Sequence, residues 1–192
     1  MSSLKYAFKE WAVICRALAE GRQALILRKG GIAETAGEFR LENTRFWLYP
    51  TYVHQQESGI RPDPEPLLKQ VLAERPPEGT VRLTHWAEVT GVYHVHDIAS
   101  ALKLCDLHLW STATVQARFL YRTPGLCVLP VRVYRAAEAF ELPETPAYAG
   151  CRSWVELERE LPTDSAVPVL DGTAFREVLR TLEERLKPTA IV

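Results

Sequence analysis

Two neighbouring cations, Arg28 and Lys29, follow the apolar residues 24–27 and precede the double glycine Gly30 and Gly31. Cationic side chains beside exposed backbone N–H groups suit a phosphate or a carboxylate. The glycine spacing matches neither the P-loop nor the dinucleotide-binding fingerprint. The segment is therefore predicted to be a strand end that faces an anion, and a solvated turn with incidental charges is the alternative.

A second polar cluster, Tyr52, His54 and Gln55, follows the apolar residues 46–49. Tyrosine and glutamine can hydrogen-bond the edge of a base or a sugar, and aromatic rings can stack on a base. This cluster is predicted to position a ligand. The alternative is a solvated edge of the hydrophobic core, where the tyrosine hydroxyls donate hydrogen bonds to buried carbonyls.

A third cluster joins Arg118 and Arg122 with two aromatic residues, Trp110 and Tyr121. Arginines four positions apart share one face of a helix if the helix continues through both. Such a pair beside aromatic rings would bind phosphate and stack on bases. Ion pairs with nearby glutamates are the alternative for these arginines.

A metal-dependent nuclease or other hydrolase is the enzymatic alternative. Glu34 and Glu38 are the nearest match to the acidic pattern of such enzymes, although Arg40 replaces the expected lysine. His54 completes this candidate catalytic set, and Glu10 could join it. A divalent metal is the only cofactor considered, and only under this alternative.

Two histidines, His94 and His96, would lie on one face of a strand. Zinc sites take three or four ligands, and the sequence provides no third ligand at a characteristic spacing. No residue is therefore assigned to a metal. The remaining alternative is a non-catalytic protein that assembles with partners through an apolar and aromatic surface.

The elements that must position these residues alternate between helical and strand patterns. The class predicted is α+β (mixed α/β), with a central mixed β-sheet or open barrel flanked by amphipathic helices. A single domain over residues 1–192 is expected, with a possible subdomain break near 57–66 or 76–79. Strands are predicted at 24–27, at 46–49, within 80–96 and at 126–135. Helices are predicted at 4–19, at 98–109, at 112–119 and at 173–187. Two more helices are predicted, one from a cap at 63–65 to Pro76 and one after the capping-box pattern of Ser153 and Glu156.

Composition limits the classes of partner. A formal net charge of −1 gives no overall attraction to nucleic acid or to anionic membranes, so any such binding must come from local basic clusters. No apolar run approaches the roughly 18 residues of a membrane span, and no signal peptide is recognised. The expected location is the cytoplasm, without membrane partners, and a homo-oligomer is left open.

Four segments of the chain resemble an uncharacterised bacterial family known as a domain of unknown function (number 1802). The resemblance extends from the first helix to about residue 161, and it implies no established activity. The segments are Leu27-Arg-Lys-Gly-Gly-Ile32, Phe46-Trp-Leu-Tyr-Pro-Thr-Tyr-Val-His-Gln55, Arg118-Phe-Leu-Tyr-Arg122 and Gly150-Cys-Arg-Ser-Trp154.

A shorter pattern is similar to the PUA-like and ASCH barrels, which are RNA-associated modules. That pattern has a helix, a glycine and a strand ending in arginine, and Ile14, Gly21 and Arg28 match it. Gln23 and Ile26 stand where the pattern has lysine and glutamate, so no catalytic residue is carried over.

The leading hypothesis is a protein that binds or processes nucleic acid or a nucleotide-like anionic ligand through a basic and aromatic cleft. The predicted ligand-binding residues are Arg28, Lys29, Tyr52, His54, Gln55, Arg118 and Arg122.

Overall fold

The structure is a computed structural model that describes residues 2–29, 41–53, 55–62, 66–150 and 152–186. Within these ranges the chain forms one mixed β-sheet and five α-helices, which confirms the predicted α+β class. None of the described helices has the length and apolarity that crossing a membrane requires. The helices are α1 (Ala12–Ala19), α2 (Leu67–Ala73), α3 (Ile98–Leu102), α4 (Thr112–Leu120) and α5 (Gly172–Arg185).

The sheet contains eight strands among the described residues. Its main path runs β2-β6-β4-β3-β1-β7, and β5 and β8 also pair with β6; along this path the described strands do not close into a barrel. β1 and β3 are parallel, and the other described pairs are antiparallel. The strands are β1 (Ser3–Trp11), β2 (Leu25–Arg28), β3 (Arg45–Thr51), β4 (Thr80–Val89), β5 (Tyr93–Val95), β6 (Leu126–Pro143), β7 (Trp154–Pro162) and β8 (Val167–Pro168).

Apolar side chains cover both faces of the sheet. Along β3, Phe46 and Leu48 belong to one hydrophobic cluster, and Trp47 and Tyr49 belong to another. Because successive residues of a strand point to opposite faces, the two clusters lie on the two sides of the sheet. The first cluster includes the buried face of α1, which fixes this helix against the sheet.

The predicted helix over residues 4–19 is wrong in its first half. Ser3–Trp11 is a strand that pairs with β3 on one side and β7 on the other, and the helix begins only at Ala12. The apolar spacing of three and four residues suggested a helix. In the structure, the adjacent residues Ala7 and Phe8 are both fully buried, in opposite clusters, as in a central strand. Pairing with a strand on each side therefore outweighs the local apolar spacing that favours a helix.

The predicted helix after Ser153 is also wrong. Trp154–Pro162 is strand β7, in which Val155 and Leu157 are buried while Glu156 between them is exposed. This alternation has the period of a strand, and it outweighs the capping-box spacing.

The predicted helix over 98–109 ends early, at Leu102. The backbone of Leu109 makes tertiary bonds instead: its N–H donates to Gln23 Oε1 at 3.0 Å, and its carbonyl accepts from the Arg61 N–H at 2.7 Å. These bonds satisfy backbone groups that a longer helix would have used.

Several predicted boundaries are confirmed. Asp97 and Ser111 cap α3 and α4, since their side-chain oxygens accept from the N–H groups of Ser100 and Thr114. The strand predicted at 126–135 is the first half of β6, which pairs with four other strands. The cap predicted at 63–65 lies outside the described residues.

Candidate functional site

The start of α1 is held by side chains from strand β1 and from the segment that follows β3. The Trp11 N–H donates to Glu10 Oε1 at 2.8 Å, and the Val13 N–H donates to Gln55 Oε1 at 3.3 Å. The first N–H groups of a helix have no intrahelical acceptor, so these two oxygens act as caps. The strand β1 therefore delivers a carboxylate, and the segment after β3 delivers an amide, to the same point.

Arg28, at the end of β2, reaches the same point. Its Nη2 lies 3.9 Å from Glu10 Oε2, and it also donates a hydrogen bond to the carbonyl of Lys9. Its guanidinium carbon lies 4.0 Å from the centre of the Phe8 ring. Glu10 is only 3% exposed, so this arginine is the counter-charge of a buried carboxylate.

Arg118, on α4, lies near Arg28 and Glu10. Its Nη1 donates to the carbonyl of Leu27 at 3.3 Å, and its guanidinium carbon lies 3.6 Å from the centre of a ring of Trp110. Burial lowers the pKa of Arg118 to about 10, Glu10 raises it and Arg28 lowers it, so the group stays charged at neutral pH. Glu10, Arg28, Gln55 and Arg118 together are called the polar cluster below.

The polar cluster contains buried atoms without hydrogen-bond partners among the described residues. They are the acceptor Glu10 Oε2 and the donors Arg28 Nε and Gln55 Nε2. The indole Nε1 of Trp110, beside Arg118, is also a buried donor without a hydrogen-bond partner among the described residues. Buried polar groups are nearly always hydrogen-bonded in native proteins, because desolvation without a partner costs free energy. One acceptor and two donors of the polar cluster therefore lack the hydrogen bonds that buried groups usually make among the described residues.

Aromatic side chains pack beside the polar cluster. The rings of Trp11 and Trp110 meet edge to face, with centroids 4.7 Å apart. Gly59 lies against Trp11 so closely that a Cβ built on it would be 2.6 Å from the ring. Only glycine fits there without displacing the indole.

Lys29, which the sequence assigned to an anion, is bonded to the backbone at the end of α4. Its Nζ donates to the carbonyls of Phe119 at 3.3 Å and Gly125 at 2.9 Å, and also to that of Thr123. Burial lowers the pKa of this ammonium group. All three of its donors are thus directed at carbonyls.

Arg122 does not share a helical face with Arg118, which corrects the expectation from their spacing. Helix α4 ends at Leu120, and Arg122 follows it with a positive φ of 60°. Its guanidinium is exposed, 5.3 Å from the centre of the Tyr121 ring. The helix ends before the second arginine because the chain turns there towards β6.

Tyr52 lies at a different place, in an open cleft between α1 and the sheet. The cleft has a volume of about 670 Å³. Arg75 covers the Tyr52 ring at 5.0 Å, and burial is the main cause of the raised pKa of its hydroxyl. The other lining residues include Ala12, Cys15, Arg16, Ala19, Glu20, Leu48, Pro50, Val71, Glu74, Pro76, Arg82, Thr84, His85, Arg135, Ala136, Ala137, Glu138 and Ala139.

The proposed catalytic residues Glu34, Glu38 and His54 lie outside the described residues, as do Gly30 and Gly31. In the part of the chain that is described, no group of three or more His, Cys, Asp or Glu side chains is placed to hold a metal ion. The rings of His94 and His96 are nearly parallel, with centroids 6.4 Å apart, as expected for side chains on one face.

The structure thus brings together three of the predicted ligand residues, Arg28, Gln55 and Arg118, and separates Tyr52 and Arg122 from them. The sequence prediction named Glu10 only as a possible addition to the catalytic carboxylates, because it placed this residue on the first helix. The signal that could have found it is its position at the end of a strand, directly before a helix start.

The fold defines a mixed α/β sheet protein, and comparison identifies its family. The chain belongs to the family described as Domain of unknown function (DUF1802), whose model matches residues 7–181. No curated protein matches the chain.

Three similar solved structures come from Zymomonas mobilis. Two are the ASCH protein, with a TM-score of 0.43, and a serine-to-alanine mutant of it, with 0.44. Both share 10% sequence identity with this chain and match 91% of it. The match covers 93% of the unmutated protein and 94% of the mutant. A tyrosine-to-phenylalanine mutant of the same protein matches with a TM-score of 0.43, at 10% identity, over 91% of this chain and 96% of its own. A likeness at this level supports no inference about activity.

Proposed function

We propose that the protein binds nucleic acid or a nucleotide-like anionic ligand, and that the polar cluster contacts the edge of a base. The observation that supports this proposal is the group of buried atoms without partners at the start of α1. It combines one carboxylate acceptor, Glu10 Oε2, with two donors, Arg28 Nε and Gln55 Nε2.

A base edge presents donors and acceptors side by side, which is the complement of this arrangement. The carboxylate of Glu10 would accept from a ring N–H or an exocyclic amine. The amide of Gln55 and the guanidinium of Arg28 would donate to a carbonyl or a ring nitrogen. A ligand that carried only acceptors would leave Glu10 Oε2 without a hydrogen-bond donor.

The charges around the polar cluster favour an anionic ligand. Two arginines accompany one carboxylate, so one positive charge is in excess in a partly desolvated place. Arg28 and Arg118 would attract the phosphate of a nucleotide from solution. Lys29 contributes charge to this field, although its donors are directed at carbonyls.

The experiment is a binding assay on matched variants. Fluorescence anisotropy with a panel of labelled RNA and DNA oligonucleotides, and calorimetry with the four ribonucleoside monophosphates, measure the affinity of the wild type. Glu10→Gln keeps the shape of the side chain but replaces one acceptor oxygen by a donor. We expect about ten- to a hundred-fold weaker binding, the loss that follows from one hydrogen bond to a charged group.

Glu158→Gln is the control, because Glu158 is an exposed glutamate on β7. Equal affinity in the wild type, Glu10→Gln and Glu158→Gln would contradict the role of Glu10. A wild type that binds no member of either panel would overturn the proposed function.

The hydrolase alternative stays a prediction. Its residues, Glu34, Glu38 and His54, lie outside the described residues, and so does any metal site that they would form. Hydrolysis of an oligonucleotide that depends on added Mg²⁺ and is lost in Glu34→Gln would support it.

A further inference from the structure

We propose that the cleft beside α1 is a second binding site, for a small organic anion with a flat apolar body, and that Arg135 holds its anionic group. The site is separate from the polar cluster, since Glu10, Arg28 and Arg118 are not among the residues that line the cleft.

An irregularity in the sheet shapes the cleft. Strands β4 and β6 pair His85 with Arg135 and then Leu83 with Phe140. Residues 136–139 of β6 therefore face the single residue Thr84 of β4, and the extra chain forms one wall. Bulges of this kind redirect side chains and occur often beside binding sites.

Arg135 is the one arginine of the cleft lining for which the described residues provide no ion pair. The other two arginines of the lining are bonded to carboxylates: Arg16 to Glu20 at 3.6 Å and to Glu74, and Arg82 to Glu141 at 2.7 Å. Among the described residues, no carboxylate forms an ion pair with Arg135, which is an exposed residue in the lining of the cleft.

His85, the cross-strand partner of Arg135, is half-buried in the lining of the cleft. Burial, and then the charges of Arg135 and Arg16, lower its pKa to about 4. Its Nδ1 lies 2.8 Å from the Thr84 hydroxyl. The charged groups around the cleft are Arg16 on α1, Glu20 directly after α1, Glu74 after α2, Arg82 on β4, and Arg135 and Glu138 on β6.

The rest of the lining suits a flat apolar body. Five of the lining residues are alanines, whose small side chains leave a smooth wall and no competing hydrogen-bond groups. A volume of about 670 Å³ lies within the usual range for small-molecule sites, about 300–1,000 Å³. The alanines are Ala12 and Ala19 on α1 and Ala136, Ala137 and Ala139 on β6.

The test uses two fluorescent probes that differ in charge. 8-Anilinonaphthalene-1-sulfonate has a flat apolar body and one sulfonate, and N-phenyl-1-naphthylamine has the same body without it. We expect Arg135→Gln to weaken binding of the sulfonate about tenfold, the loss of one charge-assisted contact, and to leave binding of the neutral probe unchanged.

The matched control is Arg159→Gln, since Arg159 is exposed on β7 and does not line the cleft. Equal sulfonate affinity in Arg135→Gln and Arg159→Gln would overturn the proposal. Equal weakening of both probes by Arg135→Gln would also overturn it, because the cleft would then not recognise the anion.

A variant that fills the cleft with a larger side chain tests whether the probes bind there. Ala137→Trp should abolish binding of both probes while the circular dichroism spectrum stays that of the wild type. Retained binding in a folded Ala137→Trp protein would place the probe elsewhere and overturn the proposal. If that variant does not fold, Ala137→Leu is used in the same way.

Histidine NMR gives a readout that a structural role of Arg135 would not produce. A bound sulfonate stabilises the imidazolium form, so the pKa of His85, read from its ring 15N shifts, should rise when the anionic probe is added. The neutral probe should not raise it. Oligonucleotide affinity should be unchanged in Arg135→Gln, so failure of this site and failure of the polar cluster are measured separately.

Discussion

The polar cluster and the cleft use arginines in opposite ways. In the polar cluster, Arg28 neutralises a buried carboxylate and stacks on Phe8, so its charge stabilises the fold as well as any ligand. In the cleft, Arg135 is exposed and has no carboxylate partner within the described part of the chain, so we expect the fold to tolerate its replacement. From this comparison we expect an arginine to be essential for stability where it neutralises a buried carboxylate. We expect it to be replaceable where it is exposed and has no carboxylate beside it.

The largest expected effect tests this contrast directly. Arg28→Met should destabilise the protein by about 3–5 kcal/mol, because it leaves Glu10 buried without its counter-charge. Arg135→Met should change the free energy of unfolding by no more than about 0.5 kcal/mol, as exposed positions do. Urea denaturation at neutral pH measures both.

The double variant Glu10→Gln with Arg28→Met sharpens the result. It should recover a large part of the loss, since no charge is then left buried. Equal destabilisation by Arg28→Met and Arg135→Met would remove the distinction between the two regions.

A smaller effect is expected from the titration of His85 in the cleft. Its pKa is lowered to about 4 in the folded protein, whereas an unfolded histidine titrates near 6.5. Between these values the unfolded chain binds the proton and the folded chain does not, so stability is complete above pH 6.5 and falls as the pH falls towards 4. The contribution is at most about 3 kcal/mol.

The measurement is the free energy of unfolding at pH 7, 5.5 and 4. His85→Gln should flatten this pH dependence relative to the wild type, and His94→Gln, at an exposed histidine on β5, is the control. If His85→Gln keeps the slope of the wild type, the histidine does not act as a neutral group in the fold.

The smallest effect concerns Lys29, which lies next to the polar cluster in sequence. Lys29→Met should cost about 1–2 kcal/mol of stability, because carbonyls at the end of α4 lose their donor and water replaces it only in part. Lys69→Met, at an exposed lysine on α2, should be neutral. Thermal denaturation compares the two.

Oligonucleotide affinity decides the role of Lys29 in binding. Because only its charge, and no free donor, reaches a ligand, Lys29→Met should bind the oligonucleotide panel only slightly more weakly than the wild type at a temperature where both are folded. A marked loss of affinity in the folded variant would restore Lys29 as a phosphate contact.

The sequence predicted the fold class and many of the element ends, and the reasons are local. Asp97 and Ser111 cap helices because their side chains reach the next N–H groups, whatever surrounds them. The prediction from sequence was wrong at β1, where the apolar spacing fitted a helix. The pairing of β1 with two strands distant in sequence, which periodicity does not encode, decided its conformation.

The candidate site divides in the same way. The sequence by itself determined that Arg28, Gln55 and Arg118 are polar residues next to apolar elements, since residue type and spacing are written in the chain. Only the tertiary structure decided that these three meet Glu10 at the start of α1 while Tyr52 lines a separate cleft. The physical reason is that hydrogen bonds and buried charges are satisfied in space, by groups that the sequence places far apart.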